Sequence, residues 1–385
     1  MAAEKKINIA FIGTKGIPAK WGGIEKYVEE VGRRLVERGH RVTVFSSRWY
    51  SNHYQGSEYK GIRIQRIPSI KLQATDALSN AFYATAAVRK GGYDIAHFHG
   101  LASYYFIPFV KKTGNLTVAT AHAMESNWDN VKYNRLGRMV IKTAFHIGMK
   151  YAHCVTTVAR HLKEKILHDY GRNALLLPGG LDSGKFEAPD IIKKKYGLQG
   201  RDYLLFLGRI DPIKRMDWAL DLARVVDRKT RLVIAGGAQD SLTKNYLNDL
   251  KRRARGFPNI IFTGPVSGKE KAELFGNCLM FLAPSQDEGL PLAVLEAISY
   301  AKCCIVSDIP AFRSVIENGV SGFMFPKNSK NDFMDTIAKL IHSVQRLDSI
   351  GREAKRRILA DFDWNNTADK AEMIYRNLLD RRQLF

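Results

Sequence analysis

The sequence predicts two doubly wound α/β domains, and three observations carry that expectation. The chain opens on an apolar strand at 7–12, a helix and a second strand at 41–46, a βαβ unit that implies a parallel sheet. The same alternation starts afresh at the apolar run 203–207, after Leu177-Pro178-Gly179-Gly180. The length, 385 residues, suits two domains at roughly 150 residues each. The expected division is 1–180, then 181–365, then a closing helix at 366–385. The halves share the alternating pattern but are not a sequence repeat.

In the first half, strand 7–12 runs into Gly13-Thr14-Lys15-Gly16-Ile17-Pro18-Ala19-Lys20-Trp21-Gly22-Gly23. A helix follows, with Tyr27, Val28, Val31, Leu35 and Val36 on one side, and ends at Gly39. The loop is not Gly-x-Gly-x-x-Gly and is too long for the usual dinucleotide fingerprint. Paired glycines at a helix entrance still let a backbone approach an anion closely, although a glycine pair can also serve a loop that holds nothing. A strand at 62–67 and a helix at 77–90 come next. Strand 94–100 carries His97 and His99 on one side. Two histidines could begin a metal site, but no third ligand is in view, so a structural role is preferred. An apolar, aromatic element at 101–110 ends in Lys111-Lys112. Strand 116–121 delivers His122 to its carboxyl end, where open α/β sheets place ligands. A basic helix at 132–151, a strand at 153–158 and a helix at 159–169 complete this half.

The second half begins with strand 203–207 and Gly208-Arg209-Ile210-Asp211-Pro212-Ile213-Lys214, then a helix with Trp218, Ala219, Leu222 and Val225 spaced for burial. Strands at 232–235 and 259–262 end at Gly236-Gly237 and at Thr263-Gly264-Pro265-Val266. A helix at 269–275 and strand 279–283 lead to Ser285-Gln286-Asp287-Glu288-Gly289-Leu290-Pro291, with Pro291 suited to a first helical turn. Glu288 then sits at the helix entrance and Glu296 about two turns inside. A helix entrance attracts phosphate, and a carboxylate on each side could hold sugar hydroxyls around it. The same residues also fit an amphipathic helix with one glutamate near its start and one exposed. Strand 303–307, a turn and short strand at 319–325, and helices near 331–343, 349–360 and 366–380 follow.

Ser285-x-x-Glu288-Gly289-x-Pro291 with Glu296-Ala297 resembles the Glu-x7-Glu signature of family 4 of the retaining glycosyltransferases. Gly208-Arg209 with Lys214 five residues after the arginine is similar to that family's second signature, and matches run from residue 9 to residue 364. The run from Ile17 to Glu30 is similar to the subgroup that builds bacterial surface polysaccharides, including rhamnosyltransferases. The resemblance implies a GT-B fold, in which two Rossmann-like domains face each other across a cleft and the final helix, after Trp364, returns to the first domain. It implies that Arg209 and Lys214 take the charge of a departing nucleoside diphosphate, aided by backbone N–H groups near Leu292 and Ala293. Glu288 would hold donor-sugar hydroxyls, Glu296 the ribose, and the backbone near Val266 the base. His122 and the Gly22-Gly23 loop would frame the reacting carbon. Many relatives have His-Gly where this chain has His122-Ala123, which leaves sugar specificity open.

Composition bounds the rest. Hydrophobic residues are 45% and charged residues 25%, the balance of a soluble globular protein. No apolar run reaches the ~18 residues of a spanning helix, and Met1 to Lys6 lead straight into the first strand without a signal-peptide pattern. A cytoplasmic protein is expected, with the inner face of the cell membrane as a candidate location. Cys154, Cys278, Cys303 and Cys304 form no zinc spacing. A net charge of +22 favours an anionic partner: a nucleotide, a nucleic acid or an acidic membrane. No nucleic-acid recognition motif is present. The expected protein is a metal-independent hexosyltransferase without a cofactor, moving sugar from a nucleotide sugar to a saccharide or lipid-linked hydroxyl. Competing readings are an epimerase or phosphorylase of the same architecture, a nucleic-acid binding protein, and a non-catalytic scaffold. A membrane surface is read from Lys132, Arg135, Arg138, Lys142 and Lys150 beside Leu136, Met139, Val140, Ile141 and Phe145, and from Tyr104, Tyr105, Phe106 and Phe109 before Lys111. The same spacing also fits core packing.

Overall fold

The opening strand of each half is apolar on both faces, so it must be covered on both sides, and each lies at the centre of a parallel sheet. The computed structural model describes residues 5–19, 22–70, 75–124, 135–238 and 241–383. Lys20, Trp21, Glu125 and Lys132 lie outside them, as do the side chains of Arg135 and Leu136. The chain divides into two units, Met1–Gly180 with Phe362–Phe385, and Leu181–Asp361.

In the first unit the strands are β1 (Asn8–Ile12), β2 (Arg41–Ser47), β3 (Glu58–Tyr59), β4 (Ile62–Ile67), β5 (Ile95–Phe98), β6 (Leu116–Ala121), β7 (Cys154–Thr157) and β8 (Leu175–Leu176). Their order is β3-β4-β2-β1-β5-β6-β7-β8, parallel except for the β3–β4 hairpin at one edge. Strand order therefore reverses between β1 and β5. Phe11, Phe98 and Val118 fill the sheet, and the helix Gly23–Glu37 covers it with Tyr27, Val28, Val31 and Leu35. The helix Trp364–Gln383 belongs to this unit. It packs on Gly23–Glu37, with Arg34 Nε donating to Asn365 Oδ1 (3.1 Å) and Arg38 Nε to Asp369 Oδ1 (3.0 Å).

In the second unit the strands are β9 (Tyr203–Leu207), β10 (Arg231–Ala235), β11 (Ile260–Gly264), β12 (Met280–Ala283), β13 (Cys304–Ser307) and β14 (Phe323–Phe325). The order β11-β10-β9-β12-β13-β14 is wholly parallel and reverses between β9 and β12. Trp218, Phe325 and Phe333 cluster on one face, with ring centroids 5.1–5.9 Å apart. Both reversals open a crevice beyond the carboxyl ends of the strands, the place where doubly wound sheets bind ligands. The helix Ser241–Arg253 adds an element beyond those expected and packs on this unit's core through Tyr246, Leu247 and Leu250.

Candidate functional site

In the second unit, the loops that follow β9 and β12 meet. Gln286 N–H donates to Ile213 O (2.8 Å), so the two loops are joined through their backbones. Asp211 caps the short turn Pro212–Lys214, accepting from Ile213 N–H at 3.2 Å, and its carboxylate pairs with Arg209 at 2.9 Å. Lys214 Nζ bonds Glu288 Oε1, which also accepts from Ser285 Oγ at 2.9 Å. Lys214 and Glu288 retain only 19% and 15% of their side-chain exposure, so each charge depends on the other. Arg209 is the exposed member of the group. A small hollow of about 20 Å³ lies here, lined by Lys214, Ser285, Glu288, Pro291 and Ala293. Burial, with the neighbouring Glu288 charge, pushes the Asp287 carboxyl up to about 6. Gly236, φ +147°, lies so close to Gly208 that an added Cβ would stand 1.7 Å from the Gly208 carbonyl oxygen. Only glycine lets these two loop backbones touch.

One helix boundary is corrected. Pro291 occupies the N-cap position with ψ 63°, outside the helical range, and the helix is Leu292–Ser299. Glu296 is therefore in the second turn, nearer the entrance than two full turns. The amides of Leu292 and Ala293 lie at that entrance, ahead of the intrahelical ladder. Lys271, from the helix Gly268–Asn277, bonds Glu296 Oε1 at 2.6 Å. Nothing local in the sequence marks that pair, which is 25 positions apart. Val266 lies two residues after β11 and is half-buried, one residue before the N-cap of Lys271's helix.

In the first unit, Gly22 is the N-cap of Gly23–Glu37, and both glycines are exposed. Gly22 has φ +105°, and a Cβ there would stand 2.0 Å from Glu25 Oε2. The preceding loop is held from the helix by two carboxylates. Glu25 Oε1 accepts from Lys15 N–H (3.0 Å), and Glu29 Oε2 from Ala19 N–H (2.8 Å). Burial raises the Glu25 carboxyl above its ordinary range. Acids on a helix's otherwise apolar side were the available signal for this role.

His97 and His99 do share a side, with ring centroids 4.1 Å apart. His97 has both nitrogens engaged, Nδ1 with the Tyr375 hydroxyl (2.6 Å) and Nε2 with Thr120 Oγ1 (2.5 Å). His99 Nδ1 lies 3.1 Å from His122 Nε2, and Tyr27 presents its ring 5.0 Å from His122. Burial holds His97 and His122 down to about 3 and His99 well below the ordinary value, so all three imidazoles are neutral. Among the described residues no group of three or more histidine, cysteine or carboxylate side chains is arranged to hold a metal ion. The chain contains one Asp-x-Asp, Asp361-Phe362-Asp363. There Asp363 accepts from Asn365 N–H at 2.7 Å and so caps the last helix.

The expected membrane surface is partly corrected. Tyr104 is fully buried and donates to Thr120 O (2.7 Å), and Phe145 is buried as well, so both belong to the core. Phe82, Tyr83, Phe109, Met139 and Val140 are exposed, with Phe106 between Phe82 and Phe109 at ring distances of 6.1 and 6.4 Å. Lys111, Lys112 and Lys142 are exposed on the same helices. No helix among the described residues is long and apolar enough to cross a membrane.

Two family models match, "Glycosyltransferase Family 4" over residues 21–184 and "Glycosyl transferases group 1" over 189–357. The chain is 25% identical to a D-inositol 3-phosphate glycosyltransferase of Stackebrandtia nassauensis, covering 94% of this chain and 88% of that one. It is 23% identical to a GDP-mannose-dependent alpha-(1-6)-phosphatidylinositol monomannoside mannosyltransferase of Mycobacterium tuberculosis, covering 93% and 95%. In fold it is similar to sucrose-phosphate synthase from Thermosynechococcus elongatus, with TM-score 0.83, 19% identity and coverage of 97% and 99%. Anabaena HepE in complex with UDP and glucose has TM-score 0.81 at 15% identity, covering 96% and 100%.

Proposed function

This chain belongs to the family 4 glycosyltransferases, and from that premise we propose that it moves a hexosyl group from a nucleoside-diphosphate sugar to a hydroxyl of a saccharide or lipid-linked acceptor, with retention at the anomeric carbon. The observation that carries this reading is the Lys214–Glu288 pair at the reversal between β9 and β12, beside the entrance of Leu292–Ser299. Breaking a sugar–phosphate bond concentrates negative charge on the departing diphosphate. A cation already fixed there favours the transition state over the ground state. An ammonium has three donors, and Glu288 takes one, which leaves others for phosphate oxygens. Glu288 Oε1 already serves Lys214 and Ser285, and Oε2 would take a donor-sugar hydroxyl. Arg209 would add a second cation, oriented by Asp211. Glu296, steadied by Lys271, would hold the ribose, and the backbone at Val266 the base. His122 and the Gly22-Gly23 entrance would frame the reacting carbon.

Two cations and a helix entrance can neutralise a diphosphate without a divalent ion, so this reading needs neither metal nor cofactor. The subgroup resemblance and the relatives' inositol- and lipid-directed names support a role in surface polysaccharide or glycoconjugate synthesis. The exposed aromatic and basic patch of the first unit would seat the enzyme on an anionic membrane carrying a lipid-linked acceptor.

The test is transfer from a panel of nucleotide sugars, found first by thermal shift, with the product examined by NMR. Nucleotide released only with acceptor, a product retaining the donor's anomeric configuration, and full activity in chelator are expected. An inverted product, or dependence on orthophosphate, would replace this reading.

A further inference from the structure

His99 is a buried imidazole for which the proposed chemistry has no use, and one of its nitrogens has no partner among the described residues. Phe11 and Tyr27 enclose its ring at centroid distances of 5.1 and 5.7 Å, and His97 stacks at 4.1 Å. Nε2 is buried without a hydrogen-bond partner among the described residues, while Nδ1 lies 3.1 Å from His122 Nε2. A neutral imidazole carries one N–H and one lone pair. Between two neutral rings the shared proton has two possible owners. If His122 Nε2 donated, the proton of His99 would be on Nε2, a buried N–H with nothing to receive it. An orphaned buried N–H is among the rarest defects of folded proteins, and an unfilled acceptor is more readily tolerated. The other arrangement leaves only an unfilled lone pair at the buried Nε2.

We infer that His99 is a positioning residue: its Nδ1–H donates to His122 Nε2 and fixes His122 as the Nδ1–H tautomer. His122 is then a hydrogen-bond donor toward bound ligand through Nδ1, and its only lone pair is occupied. It cannot serve as a proton acceptor. The ligand atom it meets is an oxygen with a free lone pair, a sugar hydroxyl or ring oxygen, and the contact supplies no base. The same device holds the ring in one orientation, with Tyr27 edge-on at an interplanar angle of 82°. This inference rests on the placement of His122 beside the transferred sugar.

The proton positions are read directly by long-range ¹H–¹⁵N correlation on histidine-labelled protein, with the ring signals assigned through His99→Asn and His122→Asn. The expected spectrum has His99 and His122 both neutral and both protonated at Nδ1. An Nε2–H tautomer at either ring overturns the inference. So does a His122 tautomer that stays Nδ1–H, with unaltered shifts, in His99→Leu. Kinetics give the second arm. His99→Leu is expected to lower kcat roughly 3- to 10-fold with donor KM little changed, the size of one neutral hydrogen bond. His99→Asn, whose amide N–H can stand where Nδ1–H stood, should recover most of that loss. If Leu does not fold, Asn against Gln makes the same comparison, since the Gln amide reaches toward Nε2. Equal rates in Asn and Gln overturn the positioning role. Finding both Nδ1–H tautomers together with normal transfer by His122→Asn would instead count against the placement of His122 at the sugar, and so against the proposed function.

Discussion

The two units are built alike at their centres, β2-β1-β5 in one and β10-β9-β12 in the other, yet they put opposite kinds of group beyond the strand ends. The first unit places two neutral imidazoles, His99 and His122, a tyrosine and a glycine-led helix entrance there. The second places ion pairs, Lys214–Glu288, Arg209–Asp211 and Lys271–Glu296. Neutral polar groups can be buried once their hydrogen bonds are satisfied, whereas charges need a partner or water. The same scaffold thus yields a dry surface suited to hydroxyl groups and a charged one suited to phosphate. The difference lies in a few loop residues, and the sheet does not dictate it.

The largest effects expected are in the charged unit. Lys214→Ala removes a fixed cation and strands Glu288, which is largely buried, and turnover should fall about 100-fold. Arg209 is more exposed, and Arg209→Ala should cost about 10-fold. Steady-state kinetics with folding checked by circular dichroism measure both. Near-normal turnover in each would erase the contrast between the units.

Acid should separate the units by sign. His97 and His122 titrate near 6.5 when unfolded and near 3 when folded, and burial lowers His99 as well, so below pH 6.5 the unfolded chain binds more protons and stability falls. For fully buried His97 alone, about 2 kcal/mol is lost by pH 5. Asp287 does the reverse. Its folded value near 6 exceeds the unfolded ~3.9, so the native state binds more protons between them and loses stability as pH rises through that window. Hydrogen exchange of β5 and β6 amides against those of β12 and β13, from pH 5 to 7.5, reads the two separately. Loss of protection on acidification should be steeper in the first unit, and equal slopes would sink the distinction.

The units also differ in surface. With Lys111, Lys112 and Lys142 changed to Glu, flotation with anionic liposomes should weaken by severalfold per charge, at ~1 kcal/mol for each basic residue near the surface. Binding to neutral vesicles equal to that with anionic ones would argue against the membrane reading. The smallest effect belongs to Asp287→Asn, which should flatten the second unit's stability between about pH 4 and 6 while leaving the first unit's acid response as it was. An unchanged slope would remove Asp287 as its source.

Apolar runs at 7–12, 116–121 and 203–207 were legible as buried strands because a strand covered on both faces needs continuous hydrophobic sequence. The helix Ser241–Arg253 was equally legible, since Thr243, Tyr246, Leu247 and Leu250 fall at helical spacing and the last three pack on the core, yet its polar composition hid it. Pro291 was placed one position too far into its helix, since sequence alone leaves its ψ unknown. The spacing of Tyr104 and its aromatic neighbours fits a surface and the core alike. The Tyr104 hydroxyl reaches the Thr120 carbonyl, and neither composition nor spacing reveals that bond.

By itself the sequence determined the two parallel sheets and the identity of the strand-end residues Arg209, Lys214, Glu288 and His122, because these follow from local periodicity and from motifs within a few positions. Only the tertiary structure decided which of them meet. Lys214 and Glu288 are 74 positions apart, His99 and His122 are 23, and His97 and Tyr375 are 278. Such pairs form when a sheet brings strand ends side by side, and so do the charge states they set. A carboxylate held by an ammonium and an imidazole held neutral by burial are consequences of packing, which a linear pattern does not contain.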